Sequence, residues 1–390
     1  MAEAYIVAAA RTAGGKRNGR LAGWHPADLA GKVLEALVDR TRMDPALVDQ
    51  VIMGCVGQAG EQSTNIARNA VLSSKFPESV PAVSVDSQCG SSQQALQFAA
   101  QAVMSGTMDI VVAAGVESMT RVPMGTPAIL AAKAGLGSSK SAAMEKRYPG
   151  IQFSQFVGAE MLAKKYGLTK DELDRFSLRS HQRAAKATKE GWFKDEIVPV
   201  QIQLADGTPE MHVVDEGIRM DATLEGIQGL KLLQEGGVLT AGSSSQICDG
   251  ASGVLIVSEK GLKQLGVQPL ARIHHMSVLA SDPVIMLETP IPVTQLALKR
   301  LGWKIDDIDL FEINEAFASV PMSWIKQLGA DPERVNVNGG AIALGHPLGG
   351  SGTKLMATLI YALKRQNKRY GLQSMCEGGG MSHATVIERL

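Results

Sequence analysis

Over the first third of the chain, short apolar runs alternate with stretches whose apolar residues recur at helical spacing. The runs Ala4 to Ala9, Asp49 to Gly54, Ala82 to Asp86 and Asp109 to Ala114 predict strands, and Asp28 to Arg40, Asn65 to Ser73 and Ser91 to Met104 predict helices. Within 91–104 the apolar set Ala95, Leu96, Phe98, Ala99, Ala102 and Val103 predicts a helix packed deep in the protein. Strict alternation of this kind points to a layered α/β domain.

The texture changes after Glu117. Residues 118–150 are rich in Ala, Gly, Ser, Met and Pro without a clear period and read as loop with short helices. Thr169-Lys170-Asp171-Glu172 forms a capping box ahead of an amphipathic helix to about Lys189. Ala251 to Ser258 reads as a buried strand again, so 118–248 is an excursion from a domain to which the chain returns. The last 120 or so residues loosely repeat the opening. Val335-Asn336-Val337-Asn338 and a glycine-rich stretch resemble Val83-Ser84-Val85-Asp86 and Cys89-Gly90-Ser91, and helices at 91–104 and about 352–365 follow them. Strands at 109–114 and around 372–376 come next, and Leu310 to Ile313 resembles Val51 to Met53. Two related halves place their two helix-start loops side by side. The expected division is 1–117 plus 249–268, a loop domain at 118–248, and 269–390.

Composition narrows the class. The chain has 390 residues, 45% hydrophobic, with 41 glycines, which describes a soluble globular protein of roughly two or three domains. Lys+Arg and Asp+Glu are both 39, so no net field argues for nucleic acid or an anionic membrane. No apolar run approaches the ~20 residues of a membrane span. Met1 to Arg11 lacks the layout of a signal peptide. The 4 scattered cysteines fit a reducing compartment, and the expected location is cytoplasmic.

Cys89 lies where an apolar strand runs into a helix start. Unpaired N–H groups there favour thiolate, so it reads either as a nucleophile or as a small core residue. Three C-terminal segments each follow an apparent strand: Asn314-Glu315-Ala316-Phe317, Gly339-Gly340-Ala341-Ile342-Ala343-Leu344-Gly345-His346-Pro347, and Cys376-Glu377-Gly378-Gly379-Gly380. Neither a phosphate-binding P-loop nor a dinucleotide glycine fingerprint is present. His274-His275 lacks the partners of a metal site.

Together, Cys89-Gly90-Ser91-Ser92, Asn-Glu-Ala-Phe at 314, Gly-His-Pro at 345 and Cys-Glu-Gly-Gly-Gly at 376 resemble the four active-site segments of the thiolases, in order and over essentially the whole chain. The wording around Gln88-Cys89-Gly90 and Ala271-Arg272-Ile273-His274-His275 is similar to actinobacterial thiolases of steroid side-chain breakdown. The resemblance implies a thiolase fold: two related α/β halves packed as an α-β-α-β-α sandwich with an inserted loop domain. It also implies thiolytic cleavage of 3-ketoacyl-CoA in fatty-acid or steroid side-chain β-oxidation, with coenzyme A as substrate and no resident cofactor or metal. A homodimer or homotetramer is expected.

By the same resemblance Cys89 is the acyl-carrying nucleophile, His346 its base, and Cys376 the acid/base. Asn314 holds a water for one oxyanion, together with His346. The backbone N–H groups of Cys89 and Gly378 serve the other. Lowering a thiol from ~8.5 to about 7 takes roughly 2 kcal/mol, about the most a helix terminus supplies, so His346 is expected to share the task. Arg219, Ala241, Ser245 and Phe317 are implied as coenzyme A contacts.

Departures are Ser243 where Asn is common, Ser91-Ser92-Gln93 in place of Ser-Gly-Leu, and Ser382-His383 where small residues are usual. Ser154-Gln155-Phe156-Val157-Gly158 stands where acetoacetyl-specific members carry His-Met-Gly, which favours broader 3-ketoacyl substrates. The competing readings are a biosynthetic acetoacetyl-CoA thiolase, a related ketoacyl synthase, which usually lacks the second cysteine, and a non-catalytic acyl-CoA-binding relative.

Overall fold

The computed structural model describes residues 2–204 and 206–390. It opens with β1 (Tyr5–Thr12), α1 (Pro26–Thr41), β2 (Gln50–Gly54), α2 (Ile66–Leu72), β3 (Ala82–Val85), α3 (Ser91–Met104) and β4 (Ile110–Ser118). Both β1 and β4 outrun their apolar runs. Their polar ends stay in register with a later strand, Arg11 opposite Ser252 and Ser118 opposite Asp249, and such pairing is invisible to a hydrophobic pattern. Short helices at Thr126–Lys133, Ala142–Arg147 and Gln155–Lys165 lead to α4 (Lys170–Lys189), whose Thr169–Glu172 capping box forms as expected. Then come β5 (Cys248–Val257), β6 (Ala271–Ala280), α5 (Pro290–Leu301), β7 (Leu310–Ile313), α6 (Ser319–Leu328), α7 (Ser351–Arg365), β8 (Tyr370–Glu377) and β9 (Met381–Arg389).

These strands order as β7-β8-β9-β6-β1-β5-β4-β2-β3, with Gly15–Lys16 beside β5 and Ile197–Val198 beside β1, in an 11-stranded sheet. Among the described residues, the strand ladder joins the two wings where Tyr5 and Ile6 pair with Arg272 and Ala271. They carry the same pattern. β2–β4 and β7–β8 are parallel, while β4–β5, β5–β1, β8–β9 and β9–β6 are antiparallel. The expected repeat is therefore a structural one.

It fails at one place. The strand expected at Val335 to Asn338 is reduced to a single bridge, Phe311 to Val335. Asn336 turns to φ +48, and its side chain accepts from Ile313 N–H (2.8 Å) and donates to Ile313 C=O (2.8 Å). One amide side chain thus satisfies the edge of β7 in place of a strand.

Helices cover the sheet in layers. Leu29, Leu34 and Leu37 of α1 and Ile66 of α2 pack on the outer face of the first wing with Val51, Val112 and Leu255. Between the wings lie α3 and α7, where Leu96 and Val103 meet Met356, Ile360 and Leu363. On the far face, Ile291 of α5 and Trp324 of α6 pack with Phe311 and Leu372. The two central helix starts touch, as expected: Thr353 N–H donates to Ser92 Oγ (3.1 Å), and a Cβ on Gly352 would stand 2.1 Å from Gln93 N. Phe98 departs from expectation. It is 42% exposed on the flank of α3 away from this contact.

Candidate active site

The chain reverses at Gln88, which adopts φ +51. Gly90 N–H donates to Ser87 C=O (3.1 Å) and Ser91 N–H to Gln88 C=O (3.0 Å). Gly90 is the helix cap, so Cys89 precedes α3 rather than lying in its first turn. A side chain at 90 has no room, since its Cβ would fall 2.2 Å from Glu377 Oε1. Cys89 is 9% exposed and packs with Met119, Leu348 and Met375.

Cys376 is the penultimate residue of β8 and is fully buried. Parallel pairing of Ile313 with Ser374 brings Asn314 alongside, and Asn314 N–H donates to Ser374 C=O (3.1 Å). Asn314 Oδ1 is buried without a partner among the described residues. Beyond Cys376, Gly378 abuts Gln88, whose Cγ would lie 3.0 Å from a Cβ there. Neither Cys89 N–H nor Gly378 N–H donates to a backbone carbonyl among the described residues.

His346 N–H donates to Gln246 C=O (3.0 Å). Ser351 Oγ donates to Pro347 C=O (2.9 Å) and lies 2.5 Å from His346 Nδ1, so it accepts from Nδ1–H. The other nitrogen, Nε2, then carries a lone pair, 3.4 Å from Asn314 Nδ2. Lys354 Nζ donates to the carbonyls of Leu344 (2.6 Å) and Gly345 (2.9 Å), holding the loop that presents the imidazole.

The electrostatics differ from the sequence expectation. Burial, with the Glu377 carboxylate behind it, pushes the Cys89 thiol up to about 12. Burial, Cys89 and Glu377 hold Cys376 well above its ordinary value. Burial and Lys354 take His346 down to about 3. The helix terminus expected to favour thiolate is outweighed because Cys89 sits before the cap, in a dry site. Both thiols and the imidazole are thus favoured in their neutral forms.

The four residues expected to bind coenzyme A are placed differently from one another. Arg219 is exposed, its N–H donates to His181 Nδ1 (3.2 Å), and its guanidinium has no ion-pair partner among the described residues. Ala241 is also exposed. Ser245 N–H donates to Ala316 C=O (2.9 Å), two residues beyond Asn314. Phe317 is only 3% exposed and meets Phe156 edge to face at 5.6 Å, so it is wall rather than open surface. Gln246 donates to Gly217 C=O and Ile342 C=O (2.7 Å each), tying the Arg219 segment to the His346 loop.

Sequence reasoning overlooked several supports. Ser351 lies within the Ser-Gly that opens α7, with nothing local to link it to His346. Glu117 accepts from Val56 N–H, Gly57 N–H and Gly349 N–H (2.9 Å each), pinning loops of the two wings together. Glu377 was visible as the neighbour of Cys376, but only the fold turns it toward Cys89. A cleft of about 570 Å³ lined by Lys16, Arg20, Trp24 and Glu216 shares no residue with this site. Among the described residues no group of His, Cys, Asp or Glu is arranged to hold a metal ion, and no helix is long and apolar enough to cross a membrane.

Cys89 and Cys376 lie close enough to feel one another's charge, and His346 Nε2 faces the Asn314 amide beside the strand that carries Cys376. The thiolase N-terminal domain family matches residues 4–260 and the thiolase C-terminal domain family residues 267–389. The chain belongs to the thiolase family and is an acyltransferase. It is 51% identical over 392 residues to the steroid 3-ketoacyl-CoA thiolase FadA6 of Mycobacterium tuberculosis, covering 100% of this chain and 95% of that protein. To the 3-ketoacyl-CoA thiolases of Cronobacter sakazakii and Bacillus subtilis it is 42% and 41% identical, over 100% of both chains in each case.

Proposed function

We propose that this thiolase cleaves 3-ketoacyl-CoA with free coenzyme A, releasing acetyl-CoA, in the β-oxidation of steroid side chains. The observation that carries the reaction is the approach of Cys89 to Cys376, with the His346–Asn314 pair tied to the Cys376 strand through Asn314 N–H and Ser374 C=O. The likeness to the steroid thiolase supports the substrate class, and Phe156, where acetoacetyl-specific members carry histidine, favours 3-ketoacyl substrates broader than acetoacetyl-CoA.

In the first half-reaction His346 Nε2 takes the Cys89 proton as Sγ adds to the C3 carbonyl. The C2–C3 bond breaks, the shortened acyl group stays on Cys89, and the acetyl-CoA carbanion takes the Cys376 proton. In the second, the Cys376 thiolate takes the proton of the incoming coenzyme A thiol, whose sulfur attacks the acyl-cysteine. Cys89 leaves and recovers its proton from His346. The unclaimed N–H groups of Cys89 and Gly378 support one oxyanion site, and the unpartnered Asn314 Oδ1 supports a water at the other. The unpaired Arg219 guanidinium and Ser245 suit coenzyme A phosphate and pantetheine, across a loop domain at 118–248 between halves 1–117 plus 249–268 and 269–390. Location in the cytoplasm fits four free, buried cysteines.

Assembly as a homodimer or homotetramer is supported by the edge strand β3, on which Val83 is 41% exposed, and by exposed Phe98 on α3. Sedimentation of Phe98→Asp as a monomer tests it.

The reaction is tested with Cys89→Ala, expected to lose thiolysis, and Cys376→Ser, expected to take up labelled acetyl on Cys89 from acetyl-CoA while failing to turn over 3-ketoacyl-CoA. Turnover by Cys89→Ala, or no label in Cys376→Ser, refutes the assignment. A kcat/KM series from four-carbon to steroid-sized 3-ketoacyl-CoAs tests the substrate class. A maximum at four carbons would favour acetoacetyl-CoA instead.

A further inference from the structure

The hairpin that carries Cys376 also carries a buried acid–imidazole pair that the reaction scheme leaves unused. Glu377, the last residue of β8, is fully buried, and His383 on β9 is 1% exposed. The register sets Met375 opposite His383 and Cys376 opposite Ser382, so one turn of sheet presents both Cys376 and the pair. His383 Nδ1 bonds Glu377 Oε1, and His383 Nε2 lies 2.7 Å from Gln94 Oε1. Both ring nitrogens face acceptor oxygens, the hydrogen-bonding pattern of an imidazolium beside a carboxylate. Gln94 belongs to α3, the helix that Cys89 precedes. The other Glu377 oxygen accepts from Ser87 Oγ (2.8 Å), inside the turn that aims Cys89, and the first fills the space against Gly90. The pair is thus clamped to the nucleophile's turn from both strand and helix.

We propose that Glu377 and His383 form a positioning pair for Cys89, Glu377 fixing the cysteine turn and His383 cancelling the negative charge that this places behind the nucleophile. The proposal rests on Cys89 being that nucleophile. A buried carboxylate beside a sulfur that must become anionic opposes catalysis unless its charge is met, and here the counter-charge comes from a residue at a position where the family usually has a small one. The Glu377 carboxylate is the next cause after burial that raises the Cys89 thiol. Other titratable groups act on the same sulfur: Asp86 on the preceding loop, Glu117 near the end of β4 and Cys376 on β8. None of them bonds Glu377 or His383, so the pair can be changed without breaking their contacts.

The test is a double-mutant cycle on the full-length enzyme, reading the pH midpoint of Cys89 alkylation by iodoacetamide together with kcat and KM for coenzyme A. His383→Asn leaves Glu377 uncompensated. Its midpoint is expected to rise by about one unit, slowing alkylation about tenfold at neutral pH, with kcat falling in step and KM for coenzyme A unchanged. Glu377→Gln is expected to lower the midpoint. In the Glu377→Gln background, where no carboxylate remains to hold a second proton on the imidazole, His383→Asn is expected to have no further effect.

An unchanged midpoint in His383→Asn, or an equal rise with and without Glu377, overturns the pairing. If His383→Asn does not fold, Glu377→Gln alone decides, and a midpoint that stays or rises overturns it. Failure of the nucleophile assignment is separate: in that case, complete alkylation of Cys89 leaves thiolysis intact in the unmutated enzyme.

Discussion

Replacing Ser351 by alanine isolates the hydroxyl that sets the His346 tautomer. Ser351 is buried, and its Oγ, 2.5 Å from Nδ1, is committed as an acceptor because its own proton goes to Pro347 C=O. Without it, the imidazole has two poor choices. Keeping the proton on Nδ1 leaves a buried N–H unpaired, and moving it to Nε2 removes the lone pair aimed at the site and sets it against the Asn314 amide donor. An unpaired buried donor costs about 1–3 kcal/mol, which is about a 5- to 150-fold loss in kcat/KM. The assay is steady-state thiolysis of acetoacetyl-CoA, with alkylation of Cys89 as a second readout and thermal unfolding to separate stability from catalysis. Ser351→Thr restores the oxygen and is expected to recover most of the loss. Activity of Ser351→Ala within twofold of the unmutated enzyme refutes the tautomer argument.

Two further outcomes are expected. Gly90→Ala drives a methyl into Glu377 Oε1, 2.2 Å from the ideal Cβ, and is expected to cost about 1–3 kcal/mol and most of the activity, read as a lower Tm and slower Cys89 alkylation. Stability is expected to fall as pH drops below about 6.5. His346 and His181 are held neutral in the fold, at about 3 and about 4, so between those values and their ordinary one only the unfolded chain takes up protons. Calorimetry at pH 7 and pH 5 checks this, and His181→Asn is expected to flatten the slope. A Tm that rises on acidification would contradict it.

Most of the first wing was legible along the chain, and α3 matched to the residue. Its strands are nearly continuous apolar runs because both faces are covered by helices, and its helices keep a clear apolar stripe. The repeat could be seen too, down to the paired helix starts. Its one failure, at Val335 to Asn338, has a local cause that no period records. The Asn336 side chain bonds Ile313 on both sides and takes the place of a strand. Phe98 misled for a different reason, since a helical period marks an apolar face without saying whether this chain or another covers it.

The site divides along the same line. Four short segments with Cys89, Asn314, His346 and Cys376 are enough to name the chemistry, because that residue set in that order belongs to one family. What they could not give is the state in which those groups are held. Charge at a buried atom depends on how much water the fold removes and which side chains it turns inward, both sums over residues far apart in sequence. So the helix tip that by itself favours thiolate lies in a site where burial and Glu377 favour the thiol. Likewise Ser351, Glu117 and the Glu377–His383 pair, ordinary residues along the chain, acquire their roles only where the two wings close on each other.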